Sequence, residues 1–276
     1  MNEHKSTSYG LPSEVKFCKE CVISNQRPSS TVEFKSTAND KKEGIAFDNN
    51  NICSACKYHE DKEHLINWKE REERLKEVLS KFRSKDGSYD VVVPGSGGKD
   101  SAYTSHVLKY KYGMNPLTVT WAPHTYTNIG WENFQNWICI GGHDNFLYTP
   151  NGTLHRELTR NAFLNLLHPF QPFIVGQRII GPAIAKRFGI KLVMYGENQA
   201  ESGNNIEDNN NPLMNMDFFS NENTLDIKLG GLAIKDYIDT GRYTIGDFAP
   251  YVPPNKKDLI DAGIEVHYLG YYLKWK

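Results

Sequence analysis

The strongest restriction on the fold comes from an apolar run that passes directly into a glycine-rich loop and then into a helical pattern. Residues 91–93 are all valine and leave no polar face, which is typical of a central parallel strand covered on both sides. The loop is Gly95-Ser96-Gly97-Gly98-Lys99-Asp100-Ser101, and a helical pattern follows at 102–112, with Gly113 as its predicted C-terminal cap. Strand, loop and helix in this order predict an α/β domain.

The same alternation continues along the chain. Further strands are predicted at three apolar runs, 116–121, 146–148 and 191–196, and helices between them near 130–140, 153–167 and 173–188. Alternating strands and helices predict a doubly wound parallel α/β sheet. Before the first strand, a charged stretch from about residue 60 to 82 predicts one amphipathic helix.

The glycine loop has the composition of a phosphate-binding loop. Its backbone N–H groups can turn inward without side-chain clashes, and the following helix N-terminus adds partial positive charge. Spacing excludes two common loops of this kind. The Walker A motif needs a glycine where this chain has Val93, and Ser or Thr where it has Asp100. The dinucleotide fingerprint would also need a glycine at Asp100.

The motif that remains, Ser-Gly-Gly-x-Asp-Ser directly after an apolar strand, resembles that of the PP-loop ATP pyrophosphatases. The resemblance implies a site for the β,γ-pyrophosphate of ATP, Mg²⁺ near the phosphates, and attack of a substrate oxygen on the α-phosphate. It also implies that Asp100 places the metal or the loop and that Lys99 adds positive charge. The loop residues implied to hold the nucleotide are Pro94, Gly95, Ser96, Gly97, Gly98 and Ser101. A glycine turn that binds nothing is the alternative.

Four of the five cysteines form two Cys-x-x-Cys pairs, Cys18/Cys21 and Cys53/Cys56. This spacing predicts a closed tetrahedral zinc site with four thiolates, whose role is to hold together a segment that is poor in apolar residues. An iron–sulfur cluster uses the same ligands, and unligated cysteines are the remaining alternative. Cys139 falls on an apolar helical face and is predicted to be a core residue.

The four cysteines and the loop together resemble the N-acetyl sugar amidotransferases. The resemblance covers most of the chain and implies that the acetamido group of a nucleotide-linked sugar is converted into an acetamidino group, in pathways to lipopolysaccharide O-antigen or nonulosonic acids. The similar stretches are Cys18-Lys19-Glu20-Cys21-Val22, Asn25-Gln26-Arg27-Pro28, Ile45-Ala46-Phe47-Asp48, Ile52-Cys53-Ser54-Ala55-Cys56, Val93-Pro94-Gly95-Ser96-Gly97-Gly98-Lys99-Asp100-Ser101, Thr120-Trp121-Ala122-Pro123, His168-Pro169-Phe170 and Tyr195-Gly196-Glu197-Asn198.

Residues at the carboxyl ends of the predicted strands are expected to face the substrate, because doubly wound sheets bind ligands there. Glu197 is the predicted metal or amide contact, with a loop cap as the alternative. Trp121, Gly196 and Asn198 are predicted contacts of the nucleotide. His124 is at least as well explained as a surface histidine. Two helical residues are expected to reach a sugar diphosphate, with plain surface positions as the alternative: Gln177 and Arg178.

The source of ammonia is predicted from the absence of a glutaminase nucleophile in the sequence. A triad glutaminase needs its cysteine in a strand-turn-helix elbow, whereas Cys139 falls in a helical pattern, and an N-terminal-nucleophile glutaminase needs cysteine where this chain has Asn2. We therefore expect a separate glutaminase, and the family resemblance implies a two-part partner similar to the glutaminase and cyclase of histidine biosynthesis.

Charge and hydropathy restrict the remaining partners. Lys plus Arg number 32 and Asp plus Glu 33, so no global positive field favours nucleic acid. No apolar run approaches the roughly 20 residues that cross a bilayer, and the N-terminus lacks the apolar segment of a signal peptide, so we expect a cytoplasmic protein without membrane contact.

The predicted organisation is a four-cysteine zinc module at 1–59, a linking charged helix at 60–88 and the PP-loop domain at 89–276. The C-terminal apolar run and the length of family members raise the alternative of a truncated C-terminus. An asparagine-rich segment at 201–211 fits a lid or a disordered loop equally. Two other functions stay open, a tRNA 2-thiolation enzyme of the PP-loop type and a non-catalytic module that binds zinc and ATP.

Overall fold

The computed structural model describes residues 10–197 and 210–274. Its centre is a five-stranded parallel sheet, and a two-stranded antiparallel hairpin lies apart from it. The strands of the sheet are β1 (Val91–Pro94), β2 (Pro116–Trp121), β3 (Asp144–Tyr148), β4 (Leu192–Tyr195) and β7 (Glu265–Tyr268), and those of the hairpin are β5 (Lys228–Leu229) and β6 (Leu232–Ala233). The strands of the sheet lie in the order β3-β2-β1-β4-β7. The predicted parallel α/β sheet is confirmed.

Helices precede, connect and follow these strands. The α-helices are α1 (Ser54–His64), α2 (Trp68–Phe82), α3 (Lys99–His106), α4 (Asn128–Cys139), α5 (Gly152–Leu166), α6 (Gln171–Phe188), α7 (Ile234–Ile238), α8 (Lys256–Asp261) and α9 (Leu269–Tyr272). Short 3₁₀ segments are Glu33–Lys35, Met216–Phe218, Thr224–Asp226 and Ile245–Tyr251. A π-helical turn at Val107–Lys111 continues α3.

Both faces of the sheet are covered. Val92 and Val193 point into the larger core, which contains the apolar side chains of α5 and α6. Val91 and Val93 point to the opposite face, where they join apolar residues of α2, such as Leu75, and of α9. Because successive strand residues alternate between the two faces, a run of valines without a polar residue is what this central strand requires.

Helix α6 lies unusually close to the sheet at two glycines. A side chain at Gly176 would overlap the indole ring of Trp121, and a Cβ at Gly181 would lie 2.6 Å from Cγ of Pro94. Glycine is therefore the residue that lets this helix approach the carboxyl ends of β1 and β2. The next residue, Pro182, cannot donate the hydrogen bond that the carbonyl of Arg178 would normally accept within the helix.

The segment before α1 is attached to the α/β domain through a 3₁₀ turn. Phe34 is almost completely buried and belongs to the larger core. The buried side-chain amide of Gln171 donates to the carbonyl of Glu33 at 2.9 Å and to that of Lys228 at 3.0 Å. One side chain at the start of α6 thus joins the N-terminal segment and the hairpin to the same helix.

Three sequence-based interpretations differ from the structure. The charged stretch forms two helices, which end and begin around Leu65–Asn67, because the Asn67 side chain caps the backbone N–H of Glu70 and starts a new helix. The C-terminal apolar run contains the edge strand β7, which was not predicted. Cys139 is exposed at the end of α4, so its prediction as a core residue is wrong.

Candidate functional site

The strand order creates a crevice at the centre of the sheet. β2 and β3 lie on one side of β1, and β4 and β7 lie on the other. The connections after β1 and β4 therefore diverge at the carboxyl edge, and open sheets of this kind bind ligands at that point. A cavity of about 270 Å³ lies there. The strand ends and the residues that follow them contribute Pro94, Gly95, Val119, Trp121, Tyr195 and Glu197 to its wall.

The glycine loop has two positions at which the fold excludes a side chain. A side chain at Gly95 would overlap that of Ser101 at the start of α3. Gly97 has a φ of +81°, and a Cβ there would lie 2.9 Å from the backbone of Phe134 on α4. Gly98, with a φ of −68°, is the N-cap of α3, and a Cβ there would make only an ordinary contact, with Oγ of Ser96 at 3.9 Å. The loop is therefore bent tightly between β1, α3 and α4, directly before a helix N-terminus.

The polar residues of the loop have neighbours of their own. The Lys99 ammonium, whose side chain is 84% exposed, lies 2.6 Å from a carboxylate oxygen of Asp100. The Ser101 hydroxyl donates to the carbonyl of Gly98 at 3.1 Å. Gly196, after β4, lies against the first turn of α3, because a Cβ there would be 2.8 Å from the carbonyl oxygen of Asp100. The ends of β1 and β4 thus meet at the loop.

Another wall of the cavity is formed by α6. Ile174, Gln177, Arg178 and Ile180 line the cavity from this helix. The Arg178 guanidinium lies over the ring of Phe218, 5.2 Å from its centroid. Arg178 is the one Lys or Arg side chain among the described residues that line the cavity. The cavity therefore combines an apolar floor, a loop suited to phosphate and one cation.

Tyr195 compensates for the proline in this helix. Its hydroxyl donates to the carbonyl of Arg178 at 3.1 Å and to that of Gln177 at 3.2 Å. Burial raises the pKa of Tyr195 well above its usual range, so the hydroxyl stays protonated and remains a donor. The end of β4 thus provides the hydrogen bond that Pro182 cannot.

The structure brings several of the predicted contacts of nucleotide, metal and sugar diphosphate to one edge of the sheet. Among them, Trp121, Glu197, Gln177 and Arg178 line the cavity together with the start of the loop. Asn198 lies outside the described residues, as do residues 201–209 of the asparagine-rich segment. His124 does not line the cavity and lies outside it against aromatic rings. Sequence reasoning missed Tyr195 as a wall residue, although the Gly-x-x-x-x-Gly-Pro pattern of α6 signals close helix–sheet contact.

An aromatic cluster adjoins the cavity behind Trp121. Trp121 packs between Tyr148 and Tyr251, with ring centroids 5.1 and 5.3 Å apart. The Tyr251 hydroxyl is hydrogen-bonded to Nδ1 of His155 at 2.7 Å. His155 is buried, and its ring stacks on that of the exposed His124 with centroids 4.6 Å apart. This row of rings leads from the protein surface to the cavity wall.

The four paired cysteines form a second site, near the N-terminus. Their sulfur atoms all lie within 4.8 Å of one another. Cys18 and Cys56 are 3.9 Å apart and Cys21 and Cys53 3.7 Å apart, as measured between Sγ atoms. Thiolates around a tetrahedral zinc ion with bonds of about 2.3 Å would be about 3.8 Å apart. The geometry fits a four-thiolate metal site.

The surroundings of these sulfurs favour a thiolate at one position. The backbone N–H groups of Glu20 and Cys53 donate to Sγ of Cys18 at 3.4 and 3.3 Å. Burial raises the pKa of the Cys18 thiol, but these backbone donors outweigh it and the pKa falls to about 6. Burial and the neighbouring sulfurs raise the pKa of Cys56. Burial likewise raises the pKa of Cys53, and a divalent cation would relieve the crowding of these sulfurs.

Comparison with known proteins adds no relative. A scan against protein-family models and a search of the curated proteins found no match to this chain. None of the helices within residues 10–197 and 210–274 is long and apolar enough to cross a membrane.

Proposed function

We propose that the chain is an AMP-forming amidotransferase of the PP-loop type that acts on the acetamido group of a nucleotide-linked N-acetyl sugar. The observation that carries the proposal is the crevice itself, where Gly95, at the start of a tightly bent glycine loop, and Arg178 of α6 line the same cavity. A ligand with phosphate at one end and a second anionic group at the other suits such a cavity. The resemblance of the sequence to N-acetyl sugar amidotransferases supplies the substrate class.

The reaction has two steps that balance. The acetamide oxygen attacks the α-phosphorus of ATP, the bond to the β-phosphate oxygen breaks, and pyrophosphate leaves. Neutral ammonia then adds to the activated carbon, the carbon–oxygen bond breaks, and AMP leaves with that oxygen. The product is an acetamidine that holds the proton as an amidinium. An amide carbon is a poor electrophile, so adenylation of its oxygen is what makes this displacement feasible.

Each part of the site has a proposed role. The backbone of the loop from Gly95 to Gly98 holds the β,γ-pyrophosphate, together with the N-terminus of α3. Asp100 and Glu197 are the carboxylates that would hold Mg²⁺, which would neutralise phosphate charge. For Asp100 this requires Lys99 to turn away from the carboxylate that it contacts at 2.6 Å. Arg178 binds the diphosphate of the sugar nucleotide.

The cysteine site has a structural role in this proposal. Between residues 10 and 59, all of which the structure describes, the buried apolar side chains are those of Cys18, Phe34 and Cys53. A segment with so small a core needs a cross-link, and zinc held by four thiolates would supply it. Ammonia comes from a separate glutaminase, with the two-part partner that the resemblance implies.

The test uses the chain with ATP, Mg²⁺, high ammonium at alkaline pH, and UDP- or CMP-linked acetamido sugars in turn. We expect one sugar to lose about one mass unit, because oxygen is exchanged for NH. Asp100→Asn should lower the rate by about 10²–10³, since it removes charge that stabilises the transition state. Asp261→Asn, at the exposed end of α8, is the matched control and should retain the activity.

Two results would exclude the proposal. If no acetamido sugar changes mass while a tRNA fraction gains sulfur, the chain is a thiolation enzyme. If the chain binds ATP and zinc but turns over neither class of substrate, it is a binding module.

A further inference from the structure

Two buried nitrogen atoms beside the cavity have no hydrogen-bond partner within the described part of the chain. They are Nε1 of Trp121 and Nε2 of His155. Trp121 is 2% and His155 6% exposed, so bulk water does not satisfy either atom. Buried polar atoms of native proteins are nearly always paired, and an unpaired one indicates a small molecule or ion that binds there. Each of these two atoms can therefore pair with a small polar molecule such as water or ammonia.

These two residues belong to a row that connects the surface to the cavity. His124 is exposed, its ring stacks on His155 at 4.6 Å between centroids, and His155 lies 6.4 Å from Trp121 by the same measure. Trp121 in turn lines the cavity in which the activated amide is proposed to lie. We propose that His124, His155 and Trp121 form the route by which neutral ammonia reaches this cavity, a proposal that rests on the amidotransferase function above.

The chemistry of the row selects ammonia over ammonium. Its other walls are the rings of Tyr148, Tyr251 and Phe173, all uncharged. Within the described part of the chain, no carboxylate contributes to the pKa of His124 or His155. A cation that entered would lose its hydration without gaining a counter-ion, which costs far more than burial of a neutral molecule. Ammonium is therefore excluded, whereas neutral ammonia can pass.

The two unpaired nitrogens match the hydrogen-bonding pattern of ammonia. The Trp121 Nε1–H can donate to its single lone pair. Burial lowers the pKa of His155 to about 4, so the ring is neutral at working pH. When Nδ1–H donates to the Tyr251 oxygen, Nε2 of His155 is an acceptor for an N–H of ammonia. An ammonia molecule on this route can thus accept from Trp121 and donate to His155, and it arrives unprotonated, as an attacking nucleophile must.

The test is the ammonium chloride dependence of amidine formation by His155→Phe, at saturating ATP and sugar. Loss of one buried hydrogen bond should raise the KM for ammonia by about tenfold. Sugar-dependent exchange of labelled pyrophosphate into ATP should stay within twofold of wild type, because adenylation precedes ammonia addition. His124 is exposed, and His124→Ala should also raise the KM for ammonia. This second variant keeps the test valid if His155→Phe does not fold.

The matched control is His143→Phe. His143 is equally buried, its Nδ1 also lacks a partner among the described residues, and burial lowers its pKa to about 4, but it lies in a groove between α3 and α4. The His143→Phe substitution should leave the KM for ammonia unchanged. An unchanged KM in folded His155→Phe or in His124→Ala, with pyrophosphate exchange intact, would show that the unpaired atoms hold structural water only. Absence of exchange in the wild type with every sugar would refute the amidotransferase function, and this route with it.

Discussion

At the scale of single residues, neighbouring glycines of the loop are needed for different reasons. Gly97 combines a φ of +81° with the backbone of α4 at van der Waals distance or closer, so neither its conformation nor its surroundings accept a side chain. Gly98 has an ordinary φ of −68°, and a Cβ there would clash with nothing. The first glycine is required by the fold itself, whereas the second is required only if a phosphate must approach the backbone.

We therefore predict different costs for alanine at the two positions. Gly97→Ala should lower the free energy of unfolding by about 1–3 kcal/mol, because a non-glycine residue with positive φ is strained and its Cβ meets Phe134. Gly98→Ala should cost less, about 0.5–1 kcal/mol, because its φ suits any residue and only the preference of the N-cap position for glycine over alanine is lost. Urea denaturation of both variants measures the difference, and equal costs would mean that the loop is not bent as described.

At the scale of elements, α6 determines the shape of the cavity. Its two glycines bring it onto β1 and β2, and Pro182 leaves a carbonyl free in the turn that carries Arg178. The hydroxyl of Tyr195, at the end of β4, donates a hydrogen bond to that carbonyl. Sequence alone indicated a helix with an internal proline, but the partner of the freed carbonyl comes from a strand and becomes visible only in three dimensions.

A double-mutant cycle tests this compensation. Tyr195→Phe should lower the free energy of unfolding by about 1–2 kcal/mol, because it leaves the carbonyl of Arg178 without a donor. In the Pro182→Ala background the backbone N–H of residue 182 can donate to that carbonyl, so the same change should cost less than about 0.5 kcal/mol. Chemical denaturation of the four proteins gives the coupling, and an identical cost in both backgrounds would contradict the assignment.

The N-terminal segment is a second element, and we predict that zinc bound by its four cysteines is the main source of its stability. Protein purified without added metal should contain about one zinc per chain, from the four-ligand rule. Cys53→Ser should abolish this zinc and lower the melting temperature, because one of the four buried or half-buried sulfur ligands is lost. Cys139→Ser, at an exposed cysteine, should keep both. Elemental analysis decides the metal, and iron with a visible charge-transfer band would refute the zinc assignment.

At the scale of the whole molecule, short-range patterns predicted more than long-range contacts did. The strand at 116–121 and the helices after it follow from periodicity and were predicted within a few residues. The clustering of the four cysteines was predicted from the spacing of the two Cys-x-x-Cys pairs. Strand β7 was missed because Glu265–Tyr268 continues directly into α9 at Leu269, so that strand and helix share one apolar run with no loop between them. Cys139 was misplaced because an apolar helical face does not show where a helix ends.

The same division holds for the candidate site. The loop and the residues after β2 and β4 could be predicted, because parallel strands bring their carboxyl ends to one edge. The pairing of Trp121 with His155 could not, since these residues come from different elements and no motif links them. The proposed function likewise depends on a resemblance in motifs together with the shape of one crevice. The bond at which ATP is cleaved is therefore the property that tests this proposal best.

Chromatographic separation of the nucleotides formed from ATP, with Mg²⁺, ammonium and an acetamido sugar nucleotide present, tests the central proposal most directly. If the loop holds the β,γ-pyrophosphate as a leaving group, the products are AMP and pyrophosphate in equal amounts, and both depend on the sugar. ADP and phosphate as the main products would contradict the account, because the bond broken would then be the one that a pyrophosphate-binding loop leaves intact.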